Sequence, residues 1–224
     1  MSIVSAIFKL MTLPWPWFFR RRLLSLFFGY NLHASSRMGL CWFFPKKLVM
    51  EAHSSIGHMT VCKGLEFVHL KESAIIGRGN WITGFPQGGQ THFTHQPERK
   101  AQLVVGAHSA ITNRHLIDCT NSVEIGAFST FAGFNSQILT HSIDLEACRQ
   151  SSAAITIGDY CFVGTNCVLL GGSRLPNYSV LGAKSLLNKP FIDTHTLYAG
   201  VPARAVKVLA NDLNYFKRTV GFVN

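Results

Sequence analysis

Residues 157–187 read IGDYCFVGTNCVLLGGSRLPNYSVLGAKSLL. Ile157, Val163, Leu169, Leu175, Leu181 and Leu187 stand six apart without a break, and Cys161, Cys167, Ser173, Ser179 and Ser185 hold the fourth place after the first five of them. Glycine follows the apolar residue at Gly158, Gly164 and Gly182. A period of six is out of phase with an α-helix, so an amphipathic helix is excluded here. Two rows kept in phase over about thirty residues mark a structural repeat. Each hexad suits one short strand, with its apolar residue inward, its small residue in a corner and its glycine at a tight turn. Successive coils then pair as parallel strands, three hexads to a coil, and enclose a dry three-sided prism.

Upstream, the rhythm runs through Val105, Ile111 and Ile117, skips two residues, and resumes at Ile125, Phe131 and Gln137. Ile56-Gly57 and Ile76-Gly77, with Cys62 and Ile82 next in phase, open earlier turns. Gln137 is the one polar residue in the apolar row. The pattern predicts a mainly β chain in three parts: a basic-aromatic segment over 1–50, a parallel β-helix of about six coils over 51–200 with loops near 84–103 and 142–155, and a C-terminal helix and tail over 201–224. Pro202 suits a helix start, and Ala203 to Arg218 is predicted helical, with Val206, Leu209, Leu213 and Phe216 along one side.

Composition narrows the function. The chain has 224 residues, 47% hydrophobic and only 14% charged, which excludes disorder as the main state and disfavours surface helices laced with ion pairs. The net charge of +10 is uneven, because Lys9, Arg20, Arg21, Arg22, Arg37, Lys46 and Lys47 precede the first acid, Glu51. These bases sit among Trp and Phe, and residues 13–30 suit either an anionic membrane surface or a plug for the open first coil. Nucleic acid is disfavoured, since no binding motif accompanies the charge. The six cysteines lack CxxC spacing and read as reduced thiols, and Leu10–Phe19 is too short and proline-broken to span a bilayer. The expected location is cytoplasmic, peripheral at the inner face of the cell membrane.

His141 stands where a hexad stops and an insertion begins, in a position that normally takes a small inward residue. A histidine at such a corner can serve as a general base for a hydroxyl. Asp144 or Glu146, close behind it, can fix its tautomer.

Four segments add to the repeat rows: Ser136 to His141, Val163-Gly164-Thr165-Asn166, Gly182-Ala183-Lys184-Ser185 and Gly200-Val201-Pro202-Ala203-Arg204. Together they resemble the hexapeptide-repeat acyltransferases, notably sugar and polysaccharide O-acetyltransferases, over roughly residues 54–207. The resemblance implies a left-handed β-helix, a homotrimer, and acetyl-CoA as co-substrate for acetylation of a sugar hydroxyl in a glycan or glycolipid precursor. It implies His141 as base at a subunit boundary, with Asn135 facing the acceptor. It further implies the Gly164-Thr165 turn as oxyanion donor, Ala183 and Lys184 along the pantetheine arm, and Lys189 and Arg204 at the nucleotide phosphates. Leu187-Asn188-Lys189-Pro190 departs from the Thr-Lys-Asp run of many relatives. No metal is expected: the histidine pair of the similarly shaped gamma-class carbonic anhydrases is missing, for Glu146 stands five beyond His141, and His53 with His58 falls at the first coil. His92 with His95, and His115 with His141, are the remaining conceivable zinc partners. A non-catalytic, membrane-docked prism in a glycan assembly complex is the competing reading.

Overall fold

A computed structural model describes residues 3–88, 92–221 and 223. Among them, three faces of parallel strands build the prism. The first face has seven strands, from Asn31–Leu32 to Arg174–Leu175; the third also has seven, from Trp42–Phe43 to Leu186–Leu187. The second runs from Arg37–Met38 to Thr196–Gly200 and then adds an antiparallel strand, Ala203–Val208, making nine.

The inward row is what the hexads require. Val163, Leu169, Leu175, Leu181 and Leu187 are all essentially buried, as are Cys161, Cys167 and Ser179 at the corners. The corners are tight: a Cβ added to Gly126 would lie 2.5 Å from the backbone carbon of Gly158 in the next coil. Only a residue without a side chain lets the coils stack there.

Gln137 is not a defect in the row. The corner between Phe131 and the next strand holds one residue more than usual, so Ile138 takes the inward place and is fully buried, while Gln137 points out.

Two boundaries differ from expectation. The ladders begin at Asn31, so residues 31–50 belong to the prism and not to a separate leading segment. The period hides there because the inward Phe43 follows Met38 after five residues and Met50 follows Phe43 after seven. At the other end, Ala203–Val208 is a strand paired with Thr196–Gly200, not the start of a helix, and only Asn214–Lys217 is helical. The open edge of the second face offers unpaired backbone groups, and pairing them outweighs a helical spacing whose members Val206 and Leu213 stay exposed. Phe216, by contrast, is buried edge-on against Tyr178 and His195.

Two short helices, α1 (Ile3–Met11) and α2 (Trp17–Phe28), close the first coil. Leu24 is fully buried in the core, and Trp17 Nε1 donates to Ser36 O at 2.6 Å. The buried Arg20 donates to Gly39 O at 2.8 Å and Cys41 O at 3.3 Å, so a cation here satisfies carbonyls at the open end of the prism.

Candidate active site

His141 follows the strand Gln137–Leu139 and opens an antiparallel hairpin, His141–Asp144 with Arg149–Ser152, which leaves the prism and returns at Ile155. Its partner comes from the coil below. Leu116–Asp118 pairs in register with Gln137–Leu139, so Asp118 lies under the corner where His141 stands.

Asp118 is buried and heavily hydrogen-bonded. Its Oδ2 lies 2.8 Å from His141 Nδ1 and accepts the His141 N–H at 3.1 Å, the Thr140 N–H at 2.9 Å and the Thr140 hydroxyl at 2.6 Å. Oδ1 accepts the Thr120 N–H at 3.1 Å and hydroxyl at 2.6 Å. Burial pushes this carboxyl up, but the bonds from His141, Thr120 and Thr140 prevail and hold it below its ordinary value. The bond to Asp118 in turn raises His141 above its ordinary 6.5, against the opposing effect of burial. An ionised Asp118 that accepts Nδ1–H leaves the lone pair on Nε2, the tautomer a general base needs.

The loop after Thr83 walls the imidazole. The rings of Phe85 and Phe93 stand edge-on to it at 5.6 and 6.2 Å. Arg99 pins this loop, donating to Phe85 O at 2.8 Å, to Pro86 O at 3.0 Å and to Thr120 O, with its guanidinium over Phe93. Gln96 then joins loop to hairpin: its amide donates to Ser152 O at 3.0 Å and its Oε1 accepts the Ser152 N–H and hydroxyl. The two insertions therefore clasp each other beside His141. A cleft of about 450 Å³ opens there, lined by His141, Ser142, Ser151, Leu170, Gly171 and Asn188.

The expected residues separate into three places. Asp144 is not the carboxylate on His141; its Oδ1 accepts the Ala147 N–H at the hairpin turn, and Asp118 holds the imidazole instead. Asn135 is exposed at a left-handed corner residue, one place before the buried Ser136 that fills the corner. It shares the edge between the second and third faces with Gly164, Thr165, Ala183 and Lys184, where Lys184 N donates to Thr165 O at 2.9 Å. His141 lies on the edge between the third and first faces, so one protomer does not join the two groups. Lys189 follows Asn188 on the His141 edge, with its ammonium 5.4 Å from the Phe191 ring centre. Arg204 is exposed on the final antiparallel strand.

His115 does not join His141: it is buried in the prism, its Nδ1 accepting the Ser136 N–H at 3.2 Å, and burial pushes it down to about 4. Among the described residues, no group of three or more His, Cys, Asp or Glu side chains is arranged to hold a metal ion.

A prism of this kind, interrupted beside a carboxylate-supported histidine, has the fold of the hexapeptide-repeat acetyltransferases. No family model matches the chain. A hexapeptide-repeat-containing acetyltransferase of Vibrio cholerae O1 biovar eltor, crystallised with acetyl coenzyme A, is similar at 22% identity and a TM-score of 0.50, over 62% of this chain and 69% of its own. The polysialic acid O-acetyltransferase OatWY is similar at 18% identity and a TM-score of 0.53, over 85% of this chain and 90% of its own. At such identities the likeness is one of fold.

Proposed function

We propose that the protein transfers an acetyl group from acetyl-CoA to a sugar hydroxyl of a glycan or glycolipid precursor, with His141 as general base. The observation that carries this reading is the 2.8 Å contact between buried Asp118 and His141 Nδ1 at the mouth of a cleft. Nε2 takes the proton of the acceptor hydroxyl as its oxygen attacks the thioester carbonyl. The tetrahedral intermediate then collapses, and the imidazolium returns the proton to the departing coenzyme A thiolate. Asp118 stays ionised and steadies the imidazolium, a positioning role.

The oxyanion donor of this scheme is the Thr165 N–H, supplied by a neighbouring protomer, since the Gly164 N–H is given to Leu181 O at 2.8 Å. A homotrimer suits the outward residues of the prism: Trp81 and Leu116 are register partners on the third face and are 47% and 39% exposed. Ile75 and Phe162 are likewise exposed on the second face. Covering these faces brings the Thr165, Ala183 and Lys184 edge of one protomer toward the His141 cleft of the next. Lys189 and Arg204 are the candidate contacts for the nucleotide phosphates.

The test is thiol release from acetyl-CoA with a panel of sugars. His141→Ala is expected to lose roughly 10²- to 10⁴-fold in turnover with coenzyme A binding retained. Unchanged turnover would remove His141 as base. A wild-type chain that binds no coenzyme A would instead be the non-catalytic scaffold.

A further inference from the structure

We propose that the two-helix plug over the first coil is a docking surface for an anionic lipid bilayer. Closing the prism uses one side of α2, where Leu24 is 0% and Arg20 1% exposed. The rest of the helix presents Phe18, Phe19 and Leu26 away from that side and Phe27 on its flank, at 50%, 51%, 77% and 57% exposure. Ile7, Leu10 and Met11 of α1 and Trp15 of the connecting turn are also more than half exposed. The aromatic members fall into two contacting groups: Phe27 lies 4.8 Å from Phe8 of α1, and Phe19 lies 5.3 Å from Phe18 and 6.3 Å from Trp15. Plugging the coil does not account for them.

Charge selects the occupant. The first fifty residues contain seven bases and no acid. Arg22 is exposed within the apolar patch, its guanidinium 4.2 Å from the Phe18 ring, and Arg37 and Lys47 are exposed on the adjoining coils. Lys46, exposed beside Lys47, is drawn to Glu66 at 2.9 Å. A second copy docked on the same face would set two cationic surfaces against each other, whereas phosphate headgroups neutralise this rim while acyl chains receive the Phe and Trp side chains. No helix among the described residues is long and apolar enough to cross a membrane, so α1 and α2 would lie within the interface rather than span it.

The experiment is co-sedimentation of the full chain with vesicles of phosphatidylcholine alone and of phosphatidylcholine with about one-third phosphatidylglycerol. The proposal expects sedimentation with the anionic vesicles, weakened by salt. Phe19→Gln with Leu26→Gln, both at exposed positions, should weaken binding more than about tenfold. Arg22→Glu should weaken it roughly fivefold or more. Quenching of Trp15 by brominated lipid, read as the difference between wild type and Trp15→Phe, reports the same contact without disturbing the apolar patch. Acetyl transfer to a soluble sugar should be unchanged in all of these variants, which separates failure of docking from failure of the catalytic reading. Equal affinity for both vesicles, no sedimentation, or vesicle binding indifferent to Phe19 and Leu26 would overturn the proposal. So would lipid-free self-association through this face, abolished by the same substitutions, which would assign it to a second copy.

Discussion

The regular coils from Ile157 to Leu187 and the interrupted coil around His141 rest on the same ladders but use their corners differently. In the regular coils the corners hold one small buried residue each, and two of these reach across to the next turn: the Cys161 thiol donates to Pro176 O at 3.0 Å and the Cys167 thiol to Gly182 O at 3.1 Å. At the interrupted coil, Thr120, Thr140 and His141 turn their donors onto one carboxylate, Asp118, instead. The difference teaches that in such a prism a residue's chemical neighbours lie one coil away. Asp118, 23 positions before His141, touches it; Asp144, three positions after it, turns to its own hairpin.

This contrast can be broken most sharply in the core. Leu169 is fully buried in a regular coil, and Leu169→Ala should cost about 2–5 kcal/mol in denaturant unfolding. Gly126→Ala forces a methyl against the backbone of the next coil and should cost about 1–3 kcal/mol in the same measurement. Arg20→Ala strips Gly39 O and Cys41 O of a donor at the closed end, a loss of about 1–3 kcal/mol that falls on the first coil alone in hydrogen exchange. The hairpin gives the opposite result: Leu145 is 87% exposed, and Leu145→Ser should stay within about 0.5 kcal/mol of wild type. A large loss there would mean that the hairpin is packed against something else, and would sharpen the case for a neighbouring protomer.

The sequence makes the repeat plain because an inward position of a dry prism tolerates almost nothing but apolar residues, and the rule survives insertions between coils. It fails where corner lengths change. The first coil is hidden by the five- and seven-residue spacings around Phe43, and Gln137 looks inward only until the extra residue of its corner is counted. The strand Ala203–Val208 is masked by a chance helical spacing, and the unpaired edge that recruits it has no local signature. His141 is visible because a hexad gives way to an insertion there, but its place in the small-residue row, counted from Gln137, lapses once Ile138 is the inward residue, and its side chain is part-exposed at the edge of the prism. Asp118 is not visible, since its place beneath His141 depends on the two-residue skip after Ile117 and the longer corner after Phe131 together. Phe85, Phe93, Arg99 and Gln96 escape for a related reason: a loop's return path to the site is set by tertiary contacts, not by spacing.

The account stands or falls on the Asp118–His141 pair, and NMR titration of the His141 ring carbon in labelled protein tests it without knowledge of the acceptor. Because His141 is raised by the bond to Asp118, its midpoint should lie above 6.5 in the wild type, so that the base loses competence as pH falls through that value. Asp118→Asn should bring the midpoint down and Asp144→Asn should leave it in place. A wild-type midpoint at or below 6.5, or one that moves with Asp144 and not with Asp118, would contradict the account.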